Sequence, residues 1–196
     1  MALPAYSLPA EDLWPAQGNW TWDDYVRIPD DGQRYEIIDG VLHVSPAPSY
    51  DHQLAVYELA ALLRNFVIRN GLGRVLGAPF DVRLPGIANP VQPDLLFLRT
   101  ENLPRPGSAC FEGVPDLVVE VLSPGTRKID QQVKLDAYQR AGVPEYWLVD
   151  PVRRSAVVRR LEDGEYRVTG RYRHDEMVRS EVLDGFEFKV SSLFPA

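Results

Sequence analysis

The amino-acid sequence predicts an α/β domain in which a mixed central sheet is flanked by helices and carries additional antiparallel hairpins. Two segments keep the spacing of amphipathic helices. Short strand-like runs, separated by Gly and Pro, lie before, between and after them. The chain has 196 residues, 45% of them hydrophobic and 25% charged, which is typical of a single globular domain.

The predicted N-terminal arm covers residues 1–20, which are rich in Pro and Ala and show no hydrophobic period. We expect this arm to lie on the surface or to be disordered, and the predicted domain to span residues 21–196. The arm contains no Lys or Arg and no long apolar run, so we expect no signal peptide. The domain opens with Thr21 and Asp24, which are spaced as a capping box for a short helix ending near Pro29.

A β-hairpin and a long helix follow. The strand-like runs Tyr35–Ile38 and Val41–Val44 flank Asp39-Gly40, a pair typical of two-residue hairpin turns. Ser49 is a suitable N-cap for a helix that ends before Gly71. The apolar positions of this helix at helical spacing are Ala55, Leu59, Leu62, Leu63 and Phe66.

The remaining chain alternates strands with one further helix. Asp130–Ala141 has helical spacing and is followed by Gly142, a residue favoured after helices. The segment between the predicted strands Asp94–Leu98 and Leu117–Leu122 is rich in Pro and Gly and is interpreted as a loop. The predicted strands are Phe80–Leu84, Asp94–Leu98, Leu117–Leu122, Glu145–Val149, Ala156–Arg160, Tyr166–Thr169 and Phe186–Val190.

Charge and cysteine content narrow the class of protein. The net charge of −7 disfavours a protein that coats nucleic acid, because such binding depends on cations that neutralise phosphates. It does not exclude a nuclease, whose metal site needs clustered carboxylates. Cys110 is the single cysteine, which fits a reducing compartment, and no stretch approaches the roughly 20 apolar residues of a membrane span. We therefore expect a cytoplasmic protein without a membrane partner.

One region has the opposite charge. Between Arg153 and Arg173 there are seven arginines and three acidic residues, a local balance of +4. These arginines could hold a nucleic-acid backbone, or they could keep an edge strand soluble.

The strongest chemical signal is Glu120, which interrupts the apolar run Leu117–Leu122. Such a run predicts a central strand buried on both faces, where a carboxylate is costly unless it is paired or binds a metal. Asp94 opens a similar run, and Pro93 before it cannot donate to a sheet, which places Asp94 at a strand end. Two carboxylates on neighbouring strands suit Mg²⁺ or Mn²⁺. The alternative is that Glu120 pairs with a buried Lys or Arg and Asp94 merely caps its strand.

A lysine is expected near such a metal to help activate water. Leu122 stands two residues after Glu120 on the same strand face, so this strand does not supply the lysine. The candidates are Lys128 and Lys134. Lys134 shares a helix face with Asp130, four residues earlier, and could reach the metal if the helix docks on the strand. The alternative is a solvated helix face with an Asp–Lys pair.

Several segments, taken together, resemble one known family. They are Thr21–Tyr25, Tyr35–Gly40, Pro93-Asp94, Glu120–Pro124, Lys134–Tyr138, Ala141–Asp150 and Gly185-Phe186. The chain is similar in these segments, in the expected order, to the Uma-type family of restriction endonucleases in the PD-(D/E)XK superfamily.

The resemblance implies a restriction-endonuclease-like fold and a metal-dependent endonuclease that hydrolyses phosphodiester bonds, with DNA as the expected substrate. It implies that Asp94 and Glu120 bind Mg²⁺ or Mn²⁺, with the Val121 carbonyl as a third ligand. Lys134 would take the place of the superfamily's strand lysine, moved to the helix. Glu36, on the early hairpin, would point into the same site. Leu122 stands where the usual Glu-x-Lys motif has its lysine. The assignment of Lys134 therefore depends on its helix docking beside the strand that carries Glu120.

Two further residues are candidate accessories. His52, in the first turn of the long helix, could contact substrate or the outer shell of the metal, although a His there is more often a surface residue. Tyr138 could orient Lys134 or a phosphate, although a helix Tyr usually packs. Trp147, inside an apolar strand, is expected in the core.

Three functions remain open: a metal-dependent endonuclease, a catalytically silent binding or scaffold protein with the same fold, and a hydrolase acting on RNA or nucleotides. The joint presence of Asp94, Glu120 and Lys134 favours an enzyme, because a decayed copy would be expected to lose at least one of them. Nucleases that cut two strands often dimerise, so a homodimer is expected by analogy.

Overall fold

The computed structural model describes residues 14–195, and most of the predicted N-terminal arm, residues 1–13, lies outside this range. The helices are α1 (Trp22–Tyr25), α2 (Tyr50–Arg69) and α3 (Leu135–Ala141), with a π-helical turn at Ile129–Lys134 and 3-10 turns at Thr100–Asn102 and Val190–Leu193. The strands are β1 (Arg34–Ile38), β2 (Val41–Ser45), β3 (Gly73–Gly77), β4 (Asp81–Leu84), β5 (Ala88–Val91), β6 (Leu95–Arg99), β7 (Cys110–Glu112), β8 (Leu117–Val121), β9 (Glu145–Asp150), β10 (Ser155–Glu162), β11 (Glu165–Arg173), β12 (Met177–Arg179) and β13 (Glu187–Lys189).

The strands form two mixed sheets and one small hairpin sheet. The larger sheet has the order β11-β10-β9-β8-β6-β3, and its strands are antiparallel except for the parallel pair β8 and β9. A parallel pair needs a long crossover, which here contains the π-helical turn and α3. The smaller sheet has the order β2-β1-β5-β4-β7, and β12 pairs with β13 separately.

The larger sheet is covered on both faces. On one face α2 packs with Ala55, Leu59, Leu63 and Val67, which recur at helical spacing and are completely buried. On the other face α3 and the smaller sheet form a second apolar cluster around Tyr138. Because side chains alternate along a strand, Val118 and Glu120 of β8 both face this second layer. Glu120 is therefore directed at α3.

Local sequence signals explain the elements that hold the site. Thr21 and Asp24 form the predicted capping box, although α1 ends at Tyr25 rather than near Pro29. The hairpin β1–β2 turns at Asp39 and Gly40, both with positive φ, as a type I′ turn requires. Ser49 caps α2 as predicted by accepting from the backbone of His52.

The sequence did not predict four short strands, β3, β5, β7 and β12. β3 begins and ends with Gly, and β5 contains Pro90, so neither has the composition of a strand. Cys110, expected in a loop, begins β7, which is held by parallel pairing with β4. These strands depend on tertiary pairing. None of the helices within residues 14–195 is long and apolar enough to cross a membrane.

Candidate active site

A cavity of about 280 Å³ opens beside the adjoining ends of β6 and β8. In their antiparallel register Leu95 pairs with Val119, so Asp94 and Glu120 are neighbours one step further along. Both acidic side chains line the cavity, and Lys134 of the π-helical turn lines it with them. The structure thus brings the two sequence-predicted carboxylates and the predicted lysine to one place.

Asp94 is buried and accepts three hydrogen bonds. Its Oδ2 accepts from the Val121 backbone N–H at 2.8 Å and lies 3.1 Å from His52 Nε2, while its Oδ1 accepts from Arg34 Nη1 at 3.0 Å. Burial alone would raise the pKa of Asp94, but the hydrogen bond from His52 and the charge of Arg34 outweigh it and hold this pKa below its usual range. Asp94 is therefore ionised at neutral pH.

Glu120 is also buried, but its environment favours the neutral form. Oε1 accepts from Lys134 Nζ at 3.1 Å and from the Tyr138 hydroxyl at 2.9 Å. Burial raises the pKa of Glu120 well above its ordinary value, and the nearby charge of Asp94 raises it further, against the lowering effect of Lys134. From the sequence, a buried ion pair of Glu120 with Lys or Arg was the alternative to metal binding. The structure contains this contact, and its partner is Lys134, the lysine proposed for catalysis.

Lys134 is the centre of the charge network. Its Nζ lies 2.9 Å from Glu36 Oε1, 3.1 Å from Glu120 Oε1 and 3.7 Å from Asp130 Oδ1. Burial opposes the charge of Lys134, but Glu120 and Glu36 outweigh burial and raise its pKa. Lys134 thus remains an ammonium group at neutral pH. Lys128, the other candidate lysine, is exposed.

Glu36 is placed differently from the sequence-based expectation. It does not line the cavity formed by the described residues, and it contacts the site through Lys134. Its Oε1 accepts from the Gln92 backbone N–H at 2.6 Å, whereas its buried Oε2 has no hydrogen-bond partner within residues 14–195. This position suits a residue that holds the lysine better than a residue that touches the reacting atoms.

The sequence interpretation missed Arg34. Its Nη1 donates to Asp94, and its Nη2 lies 3.8 Å from Glu36 Oε1. A signal was available, because Arg34 stands two residues before Glu36 on β1, and alternate residues of a strand share one face. An arginine beside a functional acid on the same strand face was a candidate for the same site.

The two candidate accessories both contact the predicted carboxylates. His52 reaches Asp94 from α2, and Tyr138 donates its hydroxyl hydrogen to Glu120. Trp147 is completely buried in the core that α2 covers. Within the cluster, four buried acidic side chains (Glu36, Asp94, Glu120 and Asp130) face the two cations Arg34 and Lys134, so the acids outnumber the cations by two.

A divalent cation fits this donor set. Within residues 14–195, no three His, Cys, Asp or Glu side chains are grouped to hold an ion, and the acidic side chains that line the cavity are Asp94, Glu120 and Asp130. Mg²⁺ is commonly bound by one or two carboxylates together with waters and substrate phosphates.

The arginines between Arg153 and Arg173 divide into two groups. Pairing aligns Ser155 with Asp150 and Arg173, at the sheet end where β8 reaches Val121. Arg154 and Arg173 therefore stand at the same end of the sheet as the cavity. The other end carries Arg160, which pairs with Glu181, and Arg167, which pairs with Glu165.

Comparison with known proteins identifies the family. The model of the Uma2 family, described as putative restriction endonuclease, matches residues 22–191. The chain belongs to this family. The family identification made from the sequence motifs is therefore confirmed, and a Uma2 chain is expected to be a nuclease by its family's description.

A solved structure supports the fold class. The chain superposes on a crystal structure described as a putative nuclease belonging to DUF820 from Anabaena variabilis, with a TM-score of 0.76 and 20% sequence identity. The match covers 89% of this Uma2 chain and 97% of that chain. At this identity the likeness concerns the fold, and it confirms the predicted α/β class. A search of curated proteins finds no match.

Proposed function

We propose that this Uma2 protein is a Mg²⁺- or Mn²⁺-dependent endonuclease that hydrolyses phosphodiester bonds in DNA. The observation that carries the proposal is the single cavity lined by Asp94 and Glu120, with Lys134 fixed beside them. Asp94 and Glu120 would hold the metal, with the Val121 carbonyl as a third ligand. A bound divalent metal supplies Lewis acidity and lowers the pKa of a water nucleophile.

In this proposal Lys134 stabilises charge on the phosphate or orients the attacking water as a cation. Its raised pKa supports this role over that of a general base, because a lysine that keeps its proton cannot accept another. Glu36 and Asp130 hold the ammonium in place through contacts of 2.9 Å and 3.7 Å. Fixed donors of this kind are effective because they need no reorganisation during the reaction.

The proposal is tested by incubating the full chain with supercoiled plasmid, linear duplex, single-stranded DNA and RNA. Each substrate is paired with Mg²⁺, Mn²⁺ or EDTA. We expect cleavage of duplex DNA with either metal and none with EDTA, and no cleavage by Asp94→Asn under any condition. Cleavage of RNA alone would support the hydrolase alternative. Cleavage of nothing, together with metal-independent DNA binding, would support the silent scaffold.

We propose that Arg154 and Arg173 contact the DNA backbone, because they share the sheet end of the cavity. Replacing both with Gln should weaken DNA binding and reduce the slope of log K against log salt by about two, roughly one for each lost phosphate contact. Fluorescence anisotropy of a labelled duplex at several salt concentrations measures both quantities.

The matched control replaces Arg160 and Arg167 with Gln. These residues lose the same charge, but they lie toward the other end of the sheet and pair with Glu181 and Glu165. An unchanged salt slope is expected for the control. Equal slopes for both double variants would place the DNA contact elsewhere.

We also propose a homodimer formed by the outer face of α2. In an antiparallel pair of α2 helices, Asp51 in the first turn of one helix would lie near Arg69 in the last turn of the other, so opposite charges would meet. Sedimentation equilibrium should give twice the chain mass of 22.1 kDa, and Tyr57→Glu should give the monomer. A monomeric wild type would contradict the proposal. The partly or fully exposed apolar residues of this face are Tyr50, Leu54, Tyr57 and Ala61, three or four positions apart, and Ile68 two turns further on.

A further inference from the structure

Arg34 is a half-buried cation of the cluster, and its hydrogen bonds are incomplete. Nη1 donates to Asp94 at 3.0 Å, but the buried Nε and Nη2 have no hydrogen-bond partner within residues 14–195. A guanidinium group carries five N–H donors in a planar fork that matches two oxygens of a carboxylate or a phosphate. Leaving such donors without acceptors is costly, so a ligand that supplies oxygens would be bound favourably.

The position of Arg34 suits a ligand in the cavity. It lines the cavity together with Asp94, Glu120 and Lys134, and it also lines a neighbouring cavity of about 170 Å³ with His52 and Asp94. β1 fixes its backbone, and the contact with Asp94 fixes one edge of the guanidinium group. Lys134, in contrast, already has Glu36 and Glu120 within 3.1 Å of its ammonium nitrogen and Asp130 at 3.7 Å.

We infer that Arg34 binds the non-bridging oxygens of the phosphodiester group that is cleaved, and that it exchanges Asp94 for this phosphate when a divalent metal binds Asp94. This inference rests on the proposed nuclease function and assigns its substrate-contacting cation. Arg34 and a metal compete for the same carboxylate. With Asp94 engaged by a divalent cation, the guanidinium group of Arg34 would be free to bind an anionic ligand.

The exchange predicts opposite effects on metal binding and on hydrolysis. Arg34→Gln should bind Mn²⁺ on the order of ten-fold more tightly than the wild type, because a competing positive charge is removed. The same variant should hydrolyse bis(p-nitrophenyl) phosphate with a kcat lowered by about 10² to 10³-fold, the usual effect of losing one donor that stabilises the transition state. A residue with a purely structural role would not raise metal affinity.

Two variants keep the test sharp. Arg34→Lys retains the charge but not the fork, so its kcat should lie between those of the wild type and Arg34→Gln. Arg140→Gln is the matched control, because Arg140 is a surface arginine that pairs with Asp39 and Asp136 away from the cavity. Arg140→Gln should leave both Mn²⁺ affinity and kcat unchanged.

The measurements are Mn²⁺ titration by electron paramagnetic resonance, hydrolysis rates, and thermal-shift binding of the same small diester with Mn²⁺ present.

Hydrolysis by Arg34→Gln at the wild-type rate, or weaker Mn²⁺ binding by this variant than by the wild type, would overturn the inference and leave the proposed function standing. A wild type that binds no Mn²⁺ would overturn both the inference and the proposed function. If the wild type binds Mn²⁺ but cleaves neither the small diester nor duplex DNA, the nuclease proposal fails. In that case, equal diester binding by the wild type and Arg34→Gln overturns the inference, and weaker binding by the variant supports it.

Discussion

Replacing Glu120 with Gln is expected to abolish Mg²⁺-dependent cleavage and, at the same time, to stabilise the metal-free protein. Loss of a metal-ligating carboxylate should lower the cleavage rate by at least about 10³-fold, close to the limit of a gel assay. The same change removes a carboxyl group whose ionised form is disfavoured by burial and by the charge of Asp94. We expect the free energy of unfolding without metal to rise by about 1 kcal/mol, which is typical when a strained functional site is relieved.

The gain does not contradict the ion pair between Glu120 and Lys134. Removing one partner of a buried pair is costly when the other charge is left alone. Lys134 is not left alone, because Glu36 remains at 2.9 Å and Asp130 at 3.7 Å. The Gln carbonyl oxygen can still accept from the Tyr138 hydroxyl. The variant therefore loses an unfavourable charge and keeps most of the hydrogen bonds.

The sign of the pH dependence follows from the raised pKa of Glu120. Folding raises this pKa above its ordinary value of 4.5, so the stabilising contribution of the neutral acid is complete below 4.5 and is lost as pH rises through the folded-state pKa. Asp94 acts in the opposite direction and at lower pH, because its lowered pKa stabilises the fold above 3.8 and loses this effect on further acidification. Glu120→Gln should therefore flatten the decline of stability from about pH 5 upward.

Thermal melts in EDTA and in Mg²⁺ test whether Glu120→Gln stabilises the metal-free protein. In EDTA the variant should melt about 2–4 °C above the wild type, and the stabilisation that Mg²⁺ gives the wild type should disappear. Glu112→Gln is the control, because Glu112 is an exposed acid paired with Arg83. If Glu120→Gln melts well below the wild type in EDTA, Glu120 is half of a structural ion pair and the metal-site proposal loses its main support.

Lys134→Met is expected to be strongly destabilising. Met has a similar length, but it leaves Glu36 and Glu120 buried without their ammonium partner. The cost of stripping one partner from a buried ion pair is about 3–5 kcal/mol. For a chain of this length each kcal/mol lowers the melting temperature by about 2–4 °C, so the variant should melt at least roughly 6 °C below the wild type in EDTA.

The loss should shrink at low pH, because protonation of Glu120 removes the uncompensated charge. The double variant Lys134→Met with Glu120→Gln should recover part of the stability, and the double-mutant cycle gives the coupling energy of the pair. The exposed Lys128 provides the control substitution Lys128→Met. A melting temperature of Lys134→Met within about 2 °C of the wild type corresponds to less than about 1 kcal/mol. Such a result would refute the claim that Lys134 stabilises the fold by neutralising the buried carboxylates.

The sequence was most informative where a residue type was unusual for the structure predicted from its neighbours. A carboxylate in the middle of β8 indicated Glu120, and a proline before β6 placed Asp94 at a strand end. Lys134 followed from helical spacing with Asp130. These inferences use short-range patterns, in which each residue is judged against its neighbours along the chain. The fold class could be predicted for the same reason, since most strands and α2 have clear periods and caps.

Arg34 and the position of Glu36 could not be placed in the same way. Their contacts join β1 to β6 and to the π-helical turn, which are about 60 and 100 residues away along the chain. No local period specifies such distances. The short strands β3 and β5 were missed for a related reason, because Gly and Pro conceal strands that exist only through pairing with distant neighbours.

The π-helical turn at Ile129–Lys134 has a consequence for comparing members of the family. Such a turn commonly amounts to one extra residue inserted into an α-helix. A relative that lacks this residue would continue as a regular helix, and its following side chains would be rotated by about 100° around the axis. The residue aligned with Lys134 would then point away from Glu120, and the buried residues Ala137 and Tyr138 of α3 would turn with it. A single-residue gap at this point in a family alignment would thus mark a lineage in which both the lysine site and the packing of α3 have changed.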